Sequence, residues 1–313
     1  MADRARYTVD LVNTPIAVAT VTFHPGRHFR TMLQSLDAAT TGETVAVIAD
    51  NGGQAAQLAA QLQDAVEQGL AVVLDSGGNI GYGAAMNRAL AQVVALAKQG
   101  SVRGDYCVLT NPDVTFDPGS IDALLDCARQ WPDAAAIGPA IRDVDGSRYP
   151  SARTIPTLRN GIGHALFGSV WPNNPCTRAY QGRDVLSAVE PVTCGWLSGS
   201  CLLVNLEAFT RIGGFDERYF MYLEDVDLGD RFQRAGYVNV FCPAATVAHD
   251  RGHVAKKYPA AMLPAHHRSA YRFQADRHSG LVYAPLRAAL AAGLALRCGI
   301  AILVTKLRRG QHH

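Results

Sequence analysis

The sequence of 313 residues has few charged or aromatic residues and no paired-cysteine motif. Charged residues make up 18% of it and aromatic residues 8%, whereas 48% of it is apolar. A chain this apolar can bury a sizeable core, which excludes the disordered and fibrous classes of protein. Its seven cysteines are odd in number, scattered and without a C-x-x-C motif. We therefore expect a reducing compartment, and neither a disulfide framework nor a zinc site.

Three further absences narrow the class. The first ten residues, MADRARYTVD, lack the apolar segment that a signal peptide needs, so none is expected. No glycine-rich loop continues as Gly-Lys-Ser/Thr, which argues against a P-loop. A nicotinamide-dependent oxidoreductase would carry its glycine fingerprint after the first strand, where this sequence has Phe23-His24-Pro25. The oxidoreductase stays as an alternative that a test of nicotinamide binding would decide.

The net charge of +2 hides an uneven distribution. Residues 251–313 carry eleven lysines and arginines and a single acid, Asp276, whereas residues 1–250 carry 18 basic and 26 acidic side chains. A basic tail on an acidic body indicates that the tail meets an anionic partner. Nucleic acid is not expected, because the tail lacks the interleaved aromatic residues on which bases stack. We expect an anionic membrane surface instead.

The end of the tail has the pattern of an amphipathic helix. Between residues 288 and 305 the only charged residue is Arg297. With about 100° per residue, basic and apolar side chains fall on opposite faces: Arg287, Arg297, Arg308 and Arg309 against Leu296, Ile300, Leu303 and Leu307. Because the segment is short and has a central arginine, it is expected to lie in the membrane interface rather than to span the bilayer. The alternative is a helix packed on the body or on a second copy of the chain, and self-association is left open.

Strand-like and helix-like patterns alternate through the first half of the sequence. Short apolar runs predict strands at residues 16–23, 44–49, 70–74 and 106–110, and the segments between them predict helices at 28–39, 54–68 and 84–98. This alternation predicts an α/β fold with a mostly parallel, doubly wound sheet, in which ligands bind at the carboxyl ends of the strands. Later strands are predicted at 199–204 and 238–241 and a helix at 224–235, while residues 150–190 are left unassigned.

Polar motifs follow several of these strands. The glycine-rich segment 77–83 is either a plain turn or a loop whose backbone N–H groups approach a diphosphate. Asp113 follows the fourth strand, where a carboxylate forms either a turn or a ligand for a hard cation. His249, after the last strand and a short loop, is either a hydrogen-bonded structural residue or part of a metal or diphosphate site.

An acidic cluster provides a candidate general base. Glu224, Asp225 and Asp227 lie within four residues. Such a run is either the solvated start of a helix or a base among like charges. Repulsion would raise the pKa of a carboxyl there and the helix dipole would lower it, so the sequence leaves the net direction open.

In their order along the chain, the motifs resemble those of family-2 glycosyltransferases of the GT-A fold. The matching segments are VTFH, ADNGG, GGNIGYGAAMN, TNPDV, CGWLSGSCLLV, GGFDERYFMYLEDVDLGDR and AHDRGH, within residues 16–253. Within the family, the sequence is similar to bacterial rhamnosyltransferases, and among these to actinobacterial enzymes whose acceptor sugar is carried on diphospho-decaprenol. The resemblance implies a GT-A domain over residues 1–255, with a nucleotide half over about 15–115 and an acceptor half over about 116–255, and a basic helical C-terminal extension over 256–313.

The resemblance also implies an activity. An inverting enzyme would move L-rhamnose from a nucleotide-sugar donor, dTDP-rhamnose, to a hydroxyl of a polyprenyl-diphosphate-linked saccharide in cell-wall or polysaccharide assembly. It would work in the cytoplasm, at the inner face of the cell membrane. The alternatives are a glycosyltransferase with another donor sugar and acceptor, and a non-catalytic carbohydrate- or nucleotide-binding protein. Asp113 and Asp225 favour the enzyme, because a binding module needs no such acids.

Residue roles are implied at the positions that match the family motifs. Asp225 would be the catalytic base, with Glu224 as the alternative. Asp113 and His249 would hold Mg²⁺ or Mn²⁺, and Asn111 stands where the D-x-D pattern of the family has its first acid. The residues implied in binding the donor are Thr22, Phe23, Asp50, Asn51, Asn79, Gly81, Asn87, Asn111, Trp196 and Ser198.

Overall fold

The structure is a computed structural model, and it describes residues 14–143, 145–161, 170–171, 173–250 and 259–310. The strands are β1 (Ile16–Thr22), β2 (Thr44–Asp50), β3 (Ala71–Asp75), β4 (Tyr106–Thr110), β5 (Val114–Phe116), β6 (Ala134–Arg142), β7 (Arg148–Tyr149), β8 (Ala152–Arg153), β9 (Val192–Cys194), β10 (Trp196–Leu197), β11 (Cys201–Asn205) and β12 (Val238–His249). The helices are α1 (Arg27–Ala39), α2 (Ala55–Gln61), α3 (Gln63–Glu67), α4 (Tyr82–Lys98), α5 (Ser120–Gln130), α6 (Pro175–Gln181), α7 (Arg183–Leu186), α8 (Leu206–Arg211), α9 (Glu224–Arg234), α10 (Pro259–Arg277) and α11 (Ala284–Gly310).

The central sheet is mixed, with the order β3-β2-β1-β4-β11-β6-β12-β5, and β7 and β9 pair with β6 and β12. The strands from β3 to β4 run parallel, as do β6 and β12, while β11 is antiparallel to both of its neighbours. The end of β4 lies beside the start of β11, because Thr110 pairs with Cys201. The loops after β1, β2 and β4 therefore meet the loop before β11 at one edge of the sheet, where ligands bind in this class of fold.

Helices cover both faces of the sheet. On one face α4 contributes Met86 and Leu90 to a buried cluster, and on the other α1 contributes Met32 and Leu36. With helices on both faces, β1 is buried along its whole length, which is why its sequence is a continuous apolar run and does not alternate. The arrangement confirms the predicted α/β fold with a mostly parallel, doubly wound sheet.

Helix α10 joins this body through a small third cluster. Its Phe273 is buried together with Trp196 and Tyr219. The Ser269 hydroxyl of the same helix donates a hydrogen bond to the carbonyl of Met221 at 2.9 Å. The helical extension thus packs against the segment that leads into the acidic cluster.

Helix α11 folds back against α10. Its apolar side chains Leu296, Ile300 and Leu303, spaced at i, i+4 and i+7, are 67%, 54% and 58% exposed. The segment Leu281–Leu303 has a mean hydropathy of 1.8 and is 0% buried, and by length and composition alone it can cross a membrane. The expectation that this segment lies in the membrane interface and does not span the bilayer stays a prediction.

Most strand predictions in the first half are right to within one residue, but several other boundaries are wrong. The predicted helix at 54–68 is broken at Leu62 into α2 and α3. The last strand does not end at residue 241: β12 continues to His249 across an irregularity between Cys242 and Thr246. His249 therefore belongs to a strand and not to a loop.

Other predictions concern parts of the chain that are newly assigned or not described. The unassigned segment 150–190 contains β8, α6 and α7, and β8 pairs with β10. The predictions for the N-terminal ten residues, for the basic residues 251–258 and for the side chains of Leu307, Arg308 and Arg309 fall outside the described residues.

Candidate active site

The loop after β2 is organised by Asp50, whose side chain is fully buried. Its carboxylate accepts hydrogen bonds from the Thr22 hydroxyl at 3.2 Å, from the N–H of Gly52 at 3.3 Å and from the N–H of Gln54. Phe23, which follows β1, is 40% exposed beside this loop. The structure thus brings the predicted Thr22, Phe23 and Asp50 together, with Asp50 holding the turn rather than pointing into solvent.

Asn51 connects this loop to the glycine-rich loop after β3. Its side-chain amide donates to Asn79 Oδ1 at 3.1 Å, and its Oδ1 accepts from the N–H of Ile80 at 3.0 Å. Both predicted asparagines therefore serve as a bridge between the ends of two neighbouring strands. Hydrogen bonds of this kind fix the spacing of two loops that would otherwise move independently.

Gly81 is where the glycine-rich loop meets the segment before the acidic cluster. It has a φ of +92°, and a Cβ atom built there would lie 2.6 Å from the carbonyl oxygen of Phe220. The N–H of Tyr82 donates to that same oxygen at 3.1 Å. Only glycine combines this backbone conformation with so close an approach.

Asn87 is directed away from the loop and toward residues 215–217. Its amide nitrogen donates to the Phe215 carbonyl at 2.9 Å and to Glu217 Oε1 at 3.0 Å, and its Oδ1 accepts from the N–H of Phe215 at 2.8 Å. With both its donor and its acceptor side engaged, Asn87 anchors that loop to α4. Any effect of Asn87 on the nucleotide sugar would act through the loop.

Asp113 and His249 form a pair at the same edge of the sheet. His249 Nε2 lies 3.0 Å from Asp113 Oδ1, and His249 is 7% exposed. Its Nδ1 is buried without a hydrogen-bond partner among the described residues. The same residues contain no group of three or more His, Cys, Asp or Glu side chains that could hold a metal ion. Among the described residues, Asp113 and His249 are therefore the ligands that such a cation would take from this pair.

The loop at residues 198–200 brings Asp113 and Asp225 to one place. The N–H of Asn111 donates to the Ser200 carbonyl at 2.8 Å, and the N–H of Gly199 donates to Asp225 Oδ2 at 3.0 Å. Ser198, a predicted donor-binding residue, shares a hydrogen bond with Ser200 at 3.0 Å. Asp113, two residues after Asn111, and Asp225 therefore both lie close to this loop at the same edge of the sheet.

Two left-handed residues lead into the acidic cluster. Tyr222 and Leu223 have φ values of 67° and 63°, a costly conformation for non-glycine residues that is often found at functional sites. They set Glu224 and Asp225 in the first turn of α9. The strain is consistent with a segment whose conformation serves the site and not the stability of the fold.

The two adjacent acids have different surroundings. Glu224 is 8% exposed and its Oε2 is buried without a partner in the described part of the chain. Burial, followed by repulsion from Asp225, raises the pKa of Glu224 to about 8. Asp225 is partly exposed, and its pKa is raised by burial but held back by the N–H groups of Gly199 and Val226 and by the charge of Arg153. Desolvation therefore raises the pKa of both carboxyl groups, which is the direction that the sequence left open.

Two residues at this site were missed by the sequence-based prediction. The Tyr82 hydroxyl donates to the Gly199 carbonyl at 2.9 Å, and burial together with the two nearby acids raises its pKa well above the ordinary value. Arg153 comes from β8, which the sequence pattern left unassigned. Tyr82 lies inside a recognised motif and could have been found, whereas the position of Arg153 depends on the pairing of β8 with β10. The predicted Trp196 is buried in β10, and its ring nitrogen donates to the Thr154 carbonyl at 3.0 Å.

Comparisons with known proteins agree with this geometry. The family model described as "Glycosyltransferase like family 2" matches residues 14–271. Over 300 residues, 95% of each chain, the sequence is 48% identical to the N-acetylglucosaminyl-diphospho-decaprenol L-rhamnosyltransferase of Mycobacterium tuberculosis. Over 203 residues, 64% of this chain and 73% of the other, it is 28% identical to rhamnosyltransferase WbbL of Escherichia coli K12.

The fold has solved relatives as well. It resembles that of the mannosyltransferase PcManGT from Pyrobaculum calidifontis, solved in complex with GDP-Man and Mn²⁺, with a TM-score of 0.55 and 12% identity over 93% of this chain and 72% of the other. At this identity the likeness shows the fold alone, and it confirms the predicted GT-A architecture.

Proposed function

The chain belongs to glycosyltransferase family 2, and on that premise we propose that it transfers L-rhamnose from dTDP-L-rhamnose to N-acetylglucosaminyl-diphospho-decaprenol in cell-wall assembly. The observation that carries this proposal is the 48% identity across 95% of the chain to an enzyme named for that reaction. The arrangement of acids at one edge of a GT-A sheet supports it, because a glycosyl transfer needs a base and a site for a diphosphate close together.

Asp225 is the base in this proposal. The acceptor hydroxyl attacks the anomeric carbon of the donor sugar and gives its proton to Asp225. The bond from that carbon to the diphosphate breaks, the nucleoside diphosphate leaves with the bonding electrons, and the configuration is inverted. Asp225 suits the role better than Glu224, because it is partly exposed and its oxygens are oriented by the N–H groups of Gly199 and Val226.

A divalent cation, Mg²⁺ or Mn²⁺, would be held by Asp113 and His249. The Asp113 Oδ1 and His249 Nε2 atoms are 3.0 Å apart, so the two side chains present an oxygen and a nitrogen to the same position. The carboxylate is a ligand type that such an ion prefers, and the imidazole lies within reach of the same position. When bound, it would neutralise the charge that develops on the leaving diphosphate.

The donor would lie along the loops after β1, β2 and β3. Asp50 and Asn51 hold these loops in register, with the Thr22 hydroxyl bound to Asp50 and the Phe23 ring exposed. Gly81 lets the loop before α4 pack against the Phe220 carbonyl, and the donor diphosphate would lie along that loop. Trp196 and Ser198, which flank the loop that binds Asp225, would lie near the place where the two sugars meet. We also propose that the chain divides into a GT-A domain over residues 1–255 and a helical extension over residues 256–313, in which α10 packs against the GT-A domain.

We further propose that the enzyme works at the inner face of the cell membrane through α11. The exposed stripe of Leu296, Ile300 and Leu303 provides an apolar face, and the basic tail complements anionic lipid. Because Arg297 lies midway along the apolar segment, we propose that the helix lies in the interface and does not span the bilayer.

The activity is tested with purified full-length protein and a panel of nucleotide sugars, by measuring nucleoside diphosphate release with and without N-acetylglucosaminyl-diphospho-decaprenol. The expected result is acceptor-dependent release from dTDP-L-rhamnose and a product one deoxyhexose heavier. A different preferred nucleotide sugar or acceptor would replace the proposed substrates, and no turnover of any donor would leave a binding protein as the better reading.

The membrane proposal is tested by flotation on vesicles of phosphatidylcholine with and without phosphatidylglycerol. The full chain should float only with the anionic lipid, and a variant with Leu296, Ile300 and Leu303 all changed to Asn should remain at the bottom. These side chains are exposed, so the variant should fold. Equal flotation of both chains would contradict the proposal, and resistance of the wild type to alkaline carbonate extraction would indicate a span.

A further inference from the structure

The guanidinium group of Arg153 is fixed in position near the candidate base, Asp225, but forms no ion pair with a described residue. In the backbone pairing of β8 with β10, Arg153 lies opposite Trp196. Its guanidinium carbon lies 5.2 Å from the centre of the Trp196 ring and 5.7 Å from that of Tyr149, and its Nε donates to the Pro150 carbonyl at 2.8 Å. Two aromatic rings and one hydrogen bond therefore fix the plane of the guanidinium group.

The terminal nitrogens of Arg153 have no hydrogen-bond partner among the residues that the structure describes, and the side chain is partly exposed. This separates Arg153 from the arginines of the neighbouring helices. Arg231 forms an ion pair with Asp227 at 2.6 Å, and Arg277 forms one with Asp230. Arg153 thus keeps up to four N–H groups available in a planar fork, the arrangement that binds phosphate oxygens two at a time.

The charge of Arg153 acts on Asp225, whose pKa it lowers, without an ion pair between the two. Arg153 lies beside Trp196, which packs against Gly229 of α9, the helix whose first turn holds Asp225. An anion bound to Arg153 would therefore lie near Asp225, whereas the donor diphosphate is proposed at the Asp113–His249 pair. Under the proposed function, the acceptor carries a diphosphate one sugar ring away from the hydroxyl that attacks.

We infer that Arg153 binds the diphosphate of the lipid-linked acceptor. It would thereby make the enzyme select acceptors whose sugar is carried on a diphosphate. This rests on the proposed function for the identity of the acceptor. Tyr149 and Trp196 position the guanidinium group. This group would bind the lipid diphosphate while Asp225 contacts the attacking hydroxyl of the acceptor sugar.

The first test measures binding and needs no turnover. Calorimetry follows inorganic pyrophosphate binding to the full chain with dTDP at saturation, so that the donor side is occupied. Arg153→Gln should weaken pyrophosphate binding roughly 10- to 100-fold, the range for a hydrogen-bonded charge. The affinity of Arg153→Lys should lie between that of the wild type and that of Arg153→Gln. Arg159→Gln is the matched control, because Arg159 is exposed and makes no ion pair in the described part of the chain. Unchanged binding in Arg153→Gln, or no pyrophosphate binding by the wild type, would overturn the inference.

The second test compares two acceptors. With N-acetylglucosaminyl-diphospho-decaprenol, Arg153→Gln should raise the acceptor KM roughly 10- to 100-fold and leave the donor KM unchanged. With the uncharged octyl N-acetylglucosaminide, the acceptor KM of the variant should equal that of the wild type, and any effect through the pKa of Asp225 should appear in kcat alone. An equal loss on both acceptors, or a raised donor KM, would assign Arg153 to Asp225 or to the donor instead. If the wild type used neither acceptor, the proposed function would fail, and the pyrophosphate measurement would still decide the site.

Discussion

The carboxylate of Asp225 and the hydroxyl of Tyr82 are joined through one residue, Gly199, which donates its N–H to Asp225 at 3.0 Å and accepts from Tyr82 at 2.9 Å through its carbonyl. The start of α4 and the start of α9 are thereby fixed to the same loop. The glycine-rich motif and the acidic motif are more than a hundred residues apart in the chain, and this contact brings them together at one loop.

Asp225→Asn should lower kcat by about 10²–10⁴-fold, the usual contribution of a general base. Asparagine has the same shape and can still accept the Gly199 hydrogen bond, so donor affinity should stay at the wild-type value. The measurement is steady-state transfer combined with calorimetry of the donor. Near-wild-type turnover would remove Asp225 from its role, and a larger loss in Glu224→Gln would give the role to its neighbour.

Asp113→Ala and His249→Ala should each weaken donor binding at least tenfold in the presence of Mn²⁺ and leave metal-free binding unchanged, because each would remove one of the two protein ligands. Calorimetry of dTDP-L-rhamnose with Mn²⁺ and with a chelator provides the comparison. Equal donor affinity of the wild type under both conditions would contradict the metal proposal without touching that for Asp225.

Much of the fold could be predicted from the sequence, for a physical reason that also sets the limit. β1, β2 and β4 are central parallel strands, so burial on both faces gives continuous apolar runs that are easy to recognise. β12 was ended too early because Pro243 interrupts its pattern at an irregularity in the pairing. The motifs at the strand ends were found, but what each side chain contacts was not. Asn87 anchors a loop and Arg153 lies near Asp225, and neither position could be predicted from the sequence because each depends on contacts between distant segments.

Glu224 should lower the stability of the protein as the pH rises from about 5 to about 8, and Glu224→Gln should remove this contribution. The folded pKa of Glu224, about 8, lies above the unfolded value of 4.5. The unfolded chain therefore releases this proton at lower pH than the folded chain, and the stabilisation present below pH 4.5 is lost as the pH passes through 8.

The urea midpoint of both proteins, measured at several pH values, tests this expectation. Each unit of pKa shift corresponds to about 1.4 kcal/mol, so the advantage of the variant should grow toward pH 8. Parallel curves for the two proteins would mean that Glu224 is paired or hydrated in solution.

Gly81→Ala should destabilise the protein more than Gly78→Ala and should abolish donor binding. Both glycines have positive φ values, +92° and +107°, so alanine is strained at either position. Only at Gly81 does the new methyl group meet a neighbour, the carbonyl oxygen of Phe220 at 2.6 Å, whereas nothing lies within 4 Å at Gly78. The difference between the two variants therefore isolates the contact between the glycine-rich loop and the acidic segment, and overpacking of this kind costs about 1–3 kcal/mol. Urea unfolding and donor calorimetry on both variants measure it, and equal losses would show that backbone conformation alone makes Gly81 necessary.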